Sequence, residues 1–224
     1  MTIGTTRRWI PVASPPARYR ARVATNQLQP AVSHRERLIG AMAASIQAKG
    51  YRETTVADVV RIARTSRRTF YEQFEDREAC FLALFDATND QMMDEIAAAV
   101  SPDRSLEEQV DRALGAYIDN VTGHPELYRS FVRELPGLGQ AGANRQLAVT
   151  ERFARLLVEL VESGRRAQPD LVARSLKADT AIIIVGGLRE LAVISLQQGR
   201  DVRELRASAG ETVKAILRGT LLSH

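Results

Sequence analysis

Apolar residues recur at helical spacing along the chain from residue 33 onward. The first run places Leu38, Met42 and Ile46 on one face, as an amphipathic helix does. Ser33 precedes this run with a glutamate three positions later, the pattern of a capping box at a helix start. Gly50 follows the last apolar residue and suits a helix end. The pattern therefore predicts a first helix between residues 33 and 50.

Two short helices follow. Thr55 and Asp58 predict the start of the second helix, and a break of about three residues separates it from the third. Ser66 is suited to cap the third helix, which carries Phe70 and Phe74 four residues apart on one face. Two short helices joined by a tight turn are typical of a helix-turn-helix.

The remainder of the chain is predicted to form long helices. The pattern places them at residues 79–100, 106–121, 126–135, 145–162, 171–198 and 202–222, with a Gly-rich loop from 136 to 142. No stretch alternates in the manner of a β-strand. The predicted fold is all-α with about nine helices, in which a three-helix head joins a larger helical body.

Charge divides the chain in the same way. Residues 1–75 hold 13 Lys/Arg and 5 Asp/Glu, a net charge of +8, whereas residues 76–224 carry −4. Residues 1–32 contain five arginines, four of the eight prolines and no acidic residue, which predicts a flexible basic arm. A basic first third favours a polyanionic partner. The predicted domains are the arm at 1–32, a DNA-binding domain at 33–78 and the body at 79–224.

Candidate chemistry for other functions is sparse. The three histidines, His34, His124 and His224, are dispersed, and no Cys/His cluster has the spacing of a metal site. The single cysteine, Cys80, follows the pattern of a small buried apolar residue and suits a reducing compartment. The longest apolar run, residues 181–185, is too short for a membrane span, and prolines interrupt the N-terminal segment where a signal peptide would need an apolar run. We expect a cytoplasmic protein without enzymatic activity, metal or cofactor.

The third helix carries the residues suited to DNA. Arg67 and Arg68 lie on its first turn, opposite the two phenylalanines, and arginine can donate two hydrogen bonds to guanine, worth about 1–3 kcal/mol of discrimination. Thr69 and Tyr71 have hydroxyl groups suited to phosphate oxygens. The alternative is a solvated charged face, which the basic head and the helix-turn-helix spacing disfavour.

The segment GYRETTVADVVRIARTSRRTFYEQFEDREACFLALF, within residues 34–85, resembles the DNA-binding signature of the TetR family of ligand-responsive transcriptional repressors. The resemblance implies phosphate contacts by Thr55, Tyr71, Gln73 and Arg77, and Thr55 also lies at a helix N-terminus, which favours an anion. Together with the preceding argument, the predicted DNA-binding residues are Thr55, Ser66, Arg67, Arg68, Thr69, Tyr71, Gln73 and Arg77. The resemblance also implies a palindromic double-stranded DNA operator and a homodimer that a small-molecule effector releases from it.

The turn departs from the family pattern, which has glycine followed by an apolar residue where this chain has Arg64 and Thr65. Either Arg64 adopts an unfavourable left-handed backbone or the turn is built differently. An alternative function follows from this departure: a TetR-like helical sensor or adaptor with degenerate operator specificity that acts through protein partners. For the arm, entry into the adjacent minor groove and a disordered solubilising tail both remain open.

The body contributes two further predicted sites. A lipophilic effector would contact the inward-facing residues Tyr117, Asn120, Val121, Phe131, Phe153, Leu157, Thr180 and Ile183. A homodimer would form through the last two helices, at Gly187, Leu191, Ile194, Val213, Ile216 and Leu217. An ordinary packed core explains the same apolar spacing for any one of these residues.

Overall fold

The computed structural model describes residues 33–168 and 174–221, which form nine α-helices, two short 3₁₀ helices and no strand. The prediction of an all-α fold is confirmed, and the arm at 1–32 lies outside the described residues. The α-helices are α1 His34–Lys49, α2 Val56–Ala63, α3 Arg67–Gln73, α4 Arg77–Ala99, α5 Leu106–Gly123, α6 Pro125–Glu134, α7 Gly139–Ala167, α8 Ala178–Gln197 and α9 Leu205–Leu221; the 3₁₀ helices are Leu135–Leu138 and Val202–Glu204.

The chain divides into two compact units between Leu84 and Phe85, inside α4. The part before this division is called the N-terminal unit below, and the part after it the C-terminal unit. The predicted domain boundary lies earlier in the chain, between residues 78 and 79, within the first turn of α4.

The N-terminal unit has a closely packed core. Leu38, Met42 and Ile46 on α1 each have 0% of their surface exposed, as the apolar spacing predicts. The helix begins with the predicted capping box, in which the Glu36 amide donates to Ser33 Oγ at 3.1 Å and the Ser33 amide donates to the Glu36 carboxylate at 2.8 Å. These bonds satisfy backbone donors that have no partner within the helix.

The C-terminal unit contains two hydrophobic clusters. One cluster joins α5, α7, α8 and α9 through residues such as Val110, Val161 and Leu217. The other joins α4, α5 and α8 through residues such as Met92 and Ile118. Helices α5 and α8 contribute to both clusters and so connect the two halves of this core.

The prediction of a Gly-rich loop from 136 to 142 is wrong, because α7 begins at Gly139. The glycine at 142 serves close packing instead: a β-carbon there would lie 2.1 Å from the carbonyl oxygen of Leu135. Only a residue without a side chain permits this approach, so tertiary packing explains the glycine and overrides its low helix propensity.

The predicted helix at 171–198 is shorter in the structure, where α8 begins at Ala178. Residues 169–173 lie outside the described residues, and residues 174–177 are not helical. The Arg174 amide donates to the carbonyl oxygen of Leu221 at 3.2 Å, a bond that holds this segment to the end of α9 instead of continuing a helix. The last predicted helix is also divided, because the 3₁₀ helix Val202–Glu204 precedes α9.

Candidate functional site

Helices α2 and α3 form the predicted helix-turn-helix, and a side chain caps each helix. The Asp58 amide donates to Thr55 Oγ1 at 3.2 Å at the start of α2. The Thr69 amide donates to Ser66 Oγ at 3.0 Å at the start of α3. The two caps explain why a short helix of eight residues and another of seven residues begin where they do.

The turn is built on a left-handed arginine. Arg64 has φ 51° and ψ 52°, and it is the only non-glycine residue with positive φ in the part of the chain that the structure describes. The Arg64 amide donates to the Arg61 carbonyl at 3.3 Å, and the Thr65 amide donates to the Val60 carbonyl at 3.0 Å. This pair of bonds is a Schellman motif, which normally has glycine at the left-handed position. Of the two possibilities for the turn, the left-handed backbone at Arg64 is therefore the one adopted. Arginine in place of glycine leaves the hydrogen bonds of the motif unchanged.

Helix α3 has one buried and one exposed face. Phe70 is 0% exposed and Phe74 is 4% exposed, so these side chains fix α3 to its support. Arg67 and Arg68 are exposed, and Tyr71 keeps 58% of its surface exposed. Arg68 lies on the side of α3 opposite Phe70, as helical spacing predicts, whereas Arg67 precedes Phe70 by three residues and is exposed at the first residue of the helix.

The polar side chains of the exposed face differ in whether they already have hydrogen-bond or ion-pair partners within the protein. The Arg68 guanidinium donates to the Glu72 carboxylate at 3.0 Å, with both side chains largely exposed. The Thr69 and Ser66 hydroxyl oxygens lie 3.0 Å apart. No ion pair within the described residues involves Arg67. Arg67 is consequently the least constrained cation on this face.

Gln73 ends α3, and its backbone has a partner that the sequence analysis missed. Arg35 on α1 donates from Nη1 to the Gln73 carbonyl at 3.1 Å, and its guanidinium lies 4.4 Å from the centre of the Phe74 ring. Arg35 therefore ties α1 to the C-terminal end of α3. No local pattern signals this contact, because 38 residues separate Arg35 from Gln73.

Thr55 is occupied within its own capping box. Its hydroxyl donates to Asp58 Oδ2 at 2.5 Å, and its amide donates to the same oxygen at 3.0 Å. Lys49 Nζ also contacts this carboxylate, at 2.7 Å. The hydrogen bonds from Lys49 and Thr55 hold the pKa of Asp58 well below its usual range, so the carboxylate is ionised at neutral pH. The hydroxyl and amide of Thr55, the groups that could donate to a phosphate, are thus both engaged by the Asp58 carboxylate.

The Arg77 guanidinium binds backbone carbonyl groups of its own chain. Its Nη1 donates to the Thr54 carbonyl at 2.8 Å, and its guanidinium lies 4.3 Å from the centre of the Tyr51 ring. Longer contacts of 3.4 and 3.5 Å reach the carbonyls of Tyr51 and Arg52. Here Arg77 braces the connection between α1 and α2, whereas the resemblance implies a phosphate contact.

The C-terminal unit encloses a cavity of about 690 Å³. Its wall is largely apolar and is formed by residues from α4 to α9. Five of the eight predicted effector contacts line it: Tyr117, Val121, Phe131, Phe153 and Leu157. The structure thus brings most of the predicted set to one space.

The other three predicted contacts lie elsewhere. Ile183 is 66% exposed, and its neighbour Ile184 lines the cavity instead. Asn120 donates to the Glu95 carboxylate at 2.7 Å, and Thr180 does not reach the cavity wall. The error at Ile183 arose because α8 is apolar on both faces, so its periodicity did not identify the inward face.

The predicted dimer residues divide between surface and core. Gly187 and Leu191 on α8 are exposed, and Ile194 is half-buried. The assignment of Val213 and Leu217 to a dimer interface is corrected here, because they are 8% and 1% exposed and pack in the chain's own core.

Ile216 is half-buried and packs against the same core cluster. Large exposed apolar side chains lie instead on α8, where Ile182 is 43% and Leu191 is 40% exposed. A β-carbon on Gly186 or Gly187 would meet no atom within 4 Å. Helix α8 therefore presents an open apolar face, called the α8 face below, which consists of Ile183, Gly187 and Leu191 at i, i+4, i+8 spacing.

Among the described residues, two further kinds of site are absent. No group of three His, Cys, Asp or Glu side chains there could hold a metal ion, and none of the described helices is long and apolar enough to cross a membrane. Cys80 is fully buried, and burial raises the pKa of its thiol to about 12. A thiol in this state is a packing residue and a poor nucleophile.

Comparison with known families identifies the N-terminal unit. Residues 38–84 match the model of bacterial regulatory proteins, tetR family. This match covers the helix-turn-helix, most of α1 and the first eight residues of α4. None of the curated proteins compared with the chain is similar enough to count as a match.

Solved structures share the fold over most of the chain. A protein from Mesorhizobium loti described as a TetR-family regulator is 18% identical with a TM-score of 0.68, covering 84% of this chain and 97% of its own. A TetR-family regulator from Pectobacterium atrosepticum is 21% identical with a TM-score of 0.64, covering 84% and 94%. The regulator FadR from Bacillus subtilis, solved in complex with stearoyl-CoA, is 17% identical with a TM-score of 0.64, covering 82% and 97%.

The family match and the capped helix-turn-helix with an exposed cationic face lead to the same assignment. Regulators of this kind act by binding DNA and are not enzymes, which agrees with the sequence prediction. The N-terminal unit therefore contains a DNA-binding domain of the tetR family of bacterial regulatory proteins, and the chain shares its fold with solved TetR-family regulators.

Proposed function

We propose that the protein is a repressor that binds a palindromic operator as a homodimer and is released from it by a lipophilic effector. The observation that carries the proposal is the division of α3 into a buried aromatic face and an exposed face with Arg67, Arg68 and Tyr71. A recognition helix needs both: one face fixed to its support and one face able to reach base edges.

Arg67 and Arg68 are proposed to read bases. Arg68 must exchange its contact with Glu72, and an exposed pair of this kind costs only about 0.3–0.5 kcal/mol to break. The predicted phosphate contacts of Thr55 and Arg77 receive less support, since both side chains are engaged within the protein. Ser66, Thr69, Tyr71 and Gln73 remain proposed contacts at or near the ends of α3.

The DNA test compares affinity for a selected operator with affinity for random DNA at fixed salt. Arg67→Ala and Arg68→Ala should lower this ratio, whereas Tyr71→Phe should weaken both DNAs alike. Arg203→Ala is a matched control, because it removes an exposed arginine from the C-terminal unit. If the two α3 variants behave like Arg203→Ala, the arginines form a solvated face and the base-reading role is wrong.

The α8 face supports the proposed dimer. An isoleucine and a leucine are exposed on either side of a glycine with open space above it, an arrangement that allows a second helix to approach closely. A two-fold dimer would present two copies of α3 and so require half-sites about one helical turn apart, or a multiple of that spacing.

Ile183→Glu should convert the dimer to monomers in sedimentation experiments, because it places a charge in the apolar contact. Leu147→Glu is the matched control: Leu147 is 59% exposed on α7, outside the α8 face. Dissociation by both variants, or by neither, would contradict the proposed interface.

The cavity supports a lipophilic effector. Its volume of about 690 Å³ is within the usual range for small-molecule sites, about 300–1,000 Å³. Helix α4 lines it with Phe85, Asn89 and Met92, and the first residues of the same helix belong to the N-terminal unit. Arg145 on α7 also forms an ion pair with Asp86 on α4 at 2.5 Å. Contacts with α4 offer a route by which an occupant could alter DNA binding.

A thermal-shift screen of lipophilic compounds, followed by a DNA-release assay, tests the switch. An effector should raise the melting temperature and lower operator affinity, with a coupling of about 1–3 kcal/mol. A compound that binds in the cavity while operator affinity stays constant would contradict regulation by the ligand.

A further inference from the structure

The cavity wall has its charged groups in one place. Among the described residues that line it, only Arg189 and Glu190 carry charged side chains, and they are neighbours on α8. Their side chains are 43% and 56% exposed, so they lie where the cavity meets solvent. The interior is formed mainly by aliphatic and aromatic side chains.

Several polar side chains of the wall already have partners. The Tyr128 hydroxyl donates to Asn120 Oδ1 at 2.5 Å, and the Asn89 amide donates to the Phe85 carbonyl at 2.7 Å. Thr150 donates its hydroxyl to a carbonyl one turn earlier in its own helix, at 3.0 Å. These groups need no ligand to satisfy their donors.

Tyr117 differs from them. Burial raises the pKa of Tyr117 to about 12, and the nearby positive charge of Arg189 only partly opposes this rise. The phenol is therefore protonated at neutral pH and able to donate, yet no hydrogen bond within the described residues uses its hydroxyl. The hydroxyl belongs to a side chain of the cavity wall and is available to donate to an occupant of the cavity.

The cation beside Tyr117 is weakly held. Arg189 contacts Glu190 at 3.2 Å, but adjacent residues on a helix do not face each other and the pair is half exposed. Exposed pairs of this kind contribute little to stability, so an incoming anion can readily replace Glu190. Tyr117 and Arg189 both line the apolar space, so a hydroxyl donor and an exchangeable cation are both available to its occupant.

We propose that the effector is a single-chain lipophilic carboxylate, such as a long-chain fatty acid, whose carboxylate binds Arg189 and Tyr117 while its hydrocarbon chain occupies the apolar interior. This inference rests on the proposed function, in which the cavity receives an effector. It narrows that function to one chemical class: a neutral ester lacks the charge that Arg189 would bind, and in a coenzyme A thioester the acyl carbonyl at this position is uncharged.

Equilibrium dialysis with the full-length protein can compare hexadecanoate, its methyl ester and its coenzyme A thioester, all with the same chain. The acid should bind at least about tenfold more tightly than the ester, since a charge-assisted hydrogen bond contributes about 1.5–3 kcal/mol. Equal or tighter binding of the ester or the thioester would overturn the carboxylate assignment and leave the lipophilic cavity standing. Failure of all three to bind would overturn both the assignment and the proposed effector site.

Substitutions of Arg189 and Glu190 should change the affinity for the acid in opposite directions, and a substitution of Tyr117 tests the hydroxyl donor. Arg189→Gln should weaken the acid about tenfold and leave the ester unchanged, whereas Glu190→Gln should strengthen the acid about two- to threefold because it removes the competing carboxylate. Tyr117→Phe should weaken both ligands, since it removes a donor that serves either carbonyl group. Arg203→Gln is the control for loss of an arginine outside the cavity.

All variants should keep the helical content and unfolding transition of the parent, because the exchanged side chains are partly exposed or nearly isosteric. If Arg189→Gln and Glu190→Gln both leave acid binding at the parental value, the carboxylate does not meet this pair and the proposal is wrong.

Discussion

The two compact units use polar groups differently. In the N-terminal unit, side chains such as Thr55, Ser66, Arg35 and Arg77 bind backbone groups or neighbouring carboxylates, and its buried side chains pack closely. The C-terminal unit keeps a cavity of about 690 Å³. It also exposes the α8 face.

The difference shows where each unit can change. In the N-terminal unit, hydrogen bonds between residues far apart in sequence hold the helices in one arrangement. A DNA-binding unit needs such a fixed arrangement to present its recognition helix. A unit with an internal space and an open apolar face has surfaces left to be covered by other molecules. Four pairs of substitutions test this contrast through the free energy of unfolding.

The largest effect is expected from truncating an aromatic side chain in the solid core. Phe70→Ala should lower the free energy of unfolding by about 3–5 kcal/mol, because Phe70 is 0% exposed and its loss leaves a cavity. Phe153→Ala, the same change at the cavity wall, should cost less than half as much, since Phe153 already borders empty space. Urea denaturation followed by circular dichroism measures both, and equal losses would contradict the contrast between the units.

Arg77→Ala should be less destabilising, by about 1–2 kcal/mol, because it removes the bond to the Thr54 carbonyl and the contact with the Tyr51 ring. Arg37→Ala is the control, since Arg37 is exposed and contacts His34 on its own helix. The salt dependence of DNA binding separates the two roles of Arg77. An unchanged slope is expected for a brace, whereas a slope reduced by about one would identify a phosphate contact.

Arg64→Gly should stabilise the N-terminal unit by about 0.5–1 kcal/mol. Glycine removes the cost of a left-handed backbone, about 1–2 kcal/mol, but loses some of this gain through the greater freedom of the unfolded chain. Arg64→Ala should leave the free energy of unfolding nearly unchanged, because alanine keeps a β-carbon at φ 51°. A gain for both variants would show that the arginine side chain, and not the backbone, is unfavourable.

The smallest effect is expected from filling the cavity. Leu157→Trp should change the free energy of unfolding by less than about 1 kcal/mol, because the larger side chain has space to enter, and it should weaken binding of lipophilic compounds. Val59→Trp in the N-terminal unit is the counterpart, where a fully buried site should lose about 1–3 kcal/mol or more. A large loss for Leu157→Trp would mean that its side chain cannot turn into the cavity.

The sequence alone determined the features that depend on residues close along the chain. The caps at Ser33, Thr55 and Ser66, the buried pair Phe70 and Phe74, and the all-α class follow from local hydrogen bonds and helical spacing. The left-handed conformation of Arg64 was one of two open possibilities, because local geometry defines the choices but not the outcome.

Only the tertiary structure decided what depends on distant partners. Glycine is required at position 142 of α7 because the Leu135 carbonyl packs where a β-carbon would lie, and Arg77 turns to Thr54 although charged neighbours lie closer in sequence. On α8 the apolar residues surround the helix, so periodicity could not separate Ile184, which faces the cavity, from Ile183, which faces outward. Val213 and Leu217 belong to the core for the same reason: an apolar stripe marks a face that must be covered, and only packing determines which neighbour covers it.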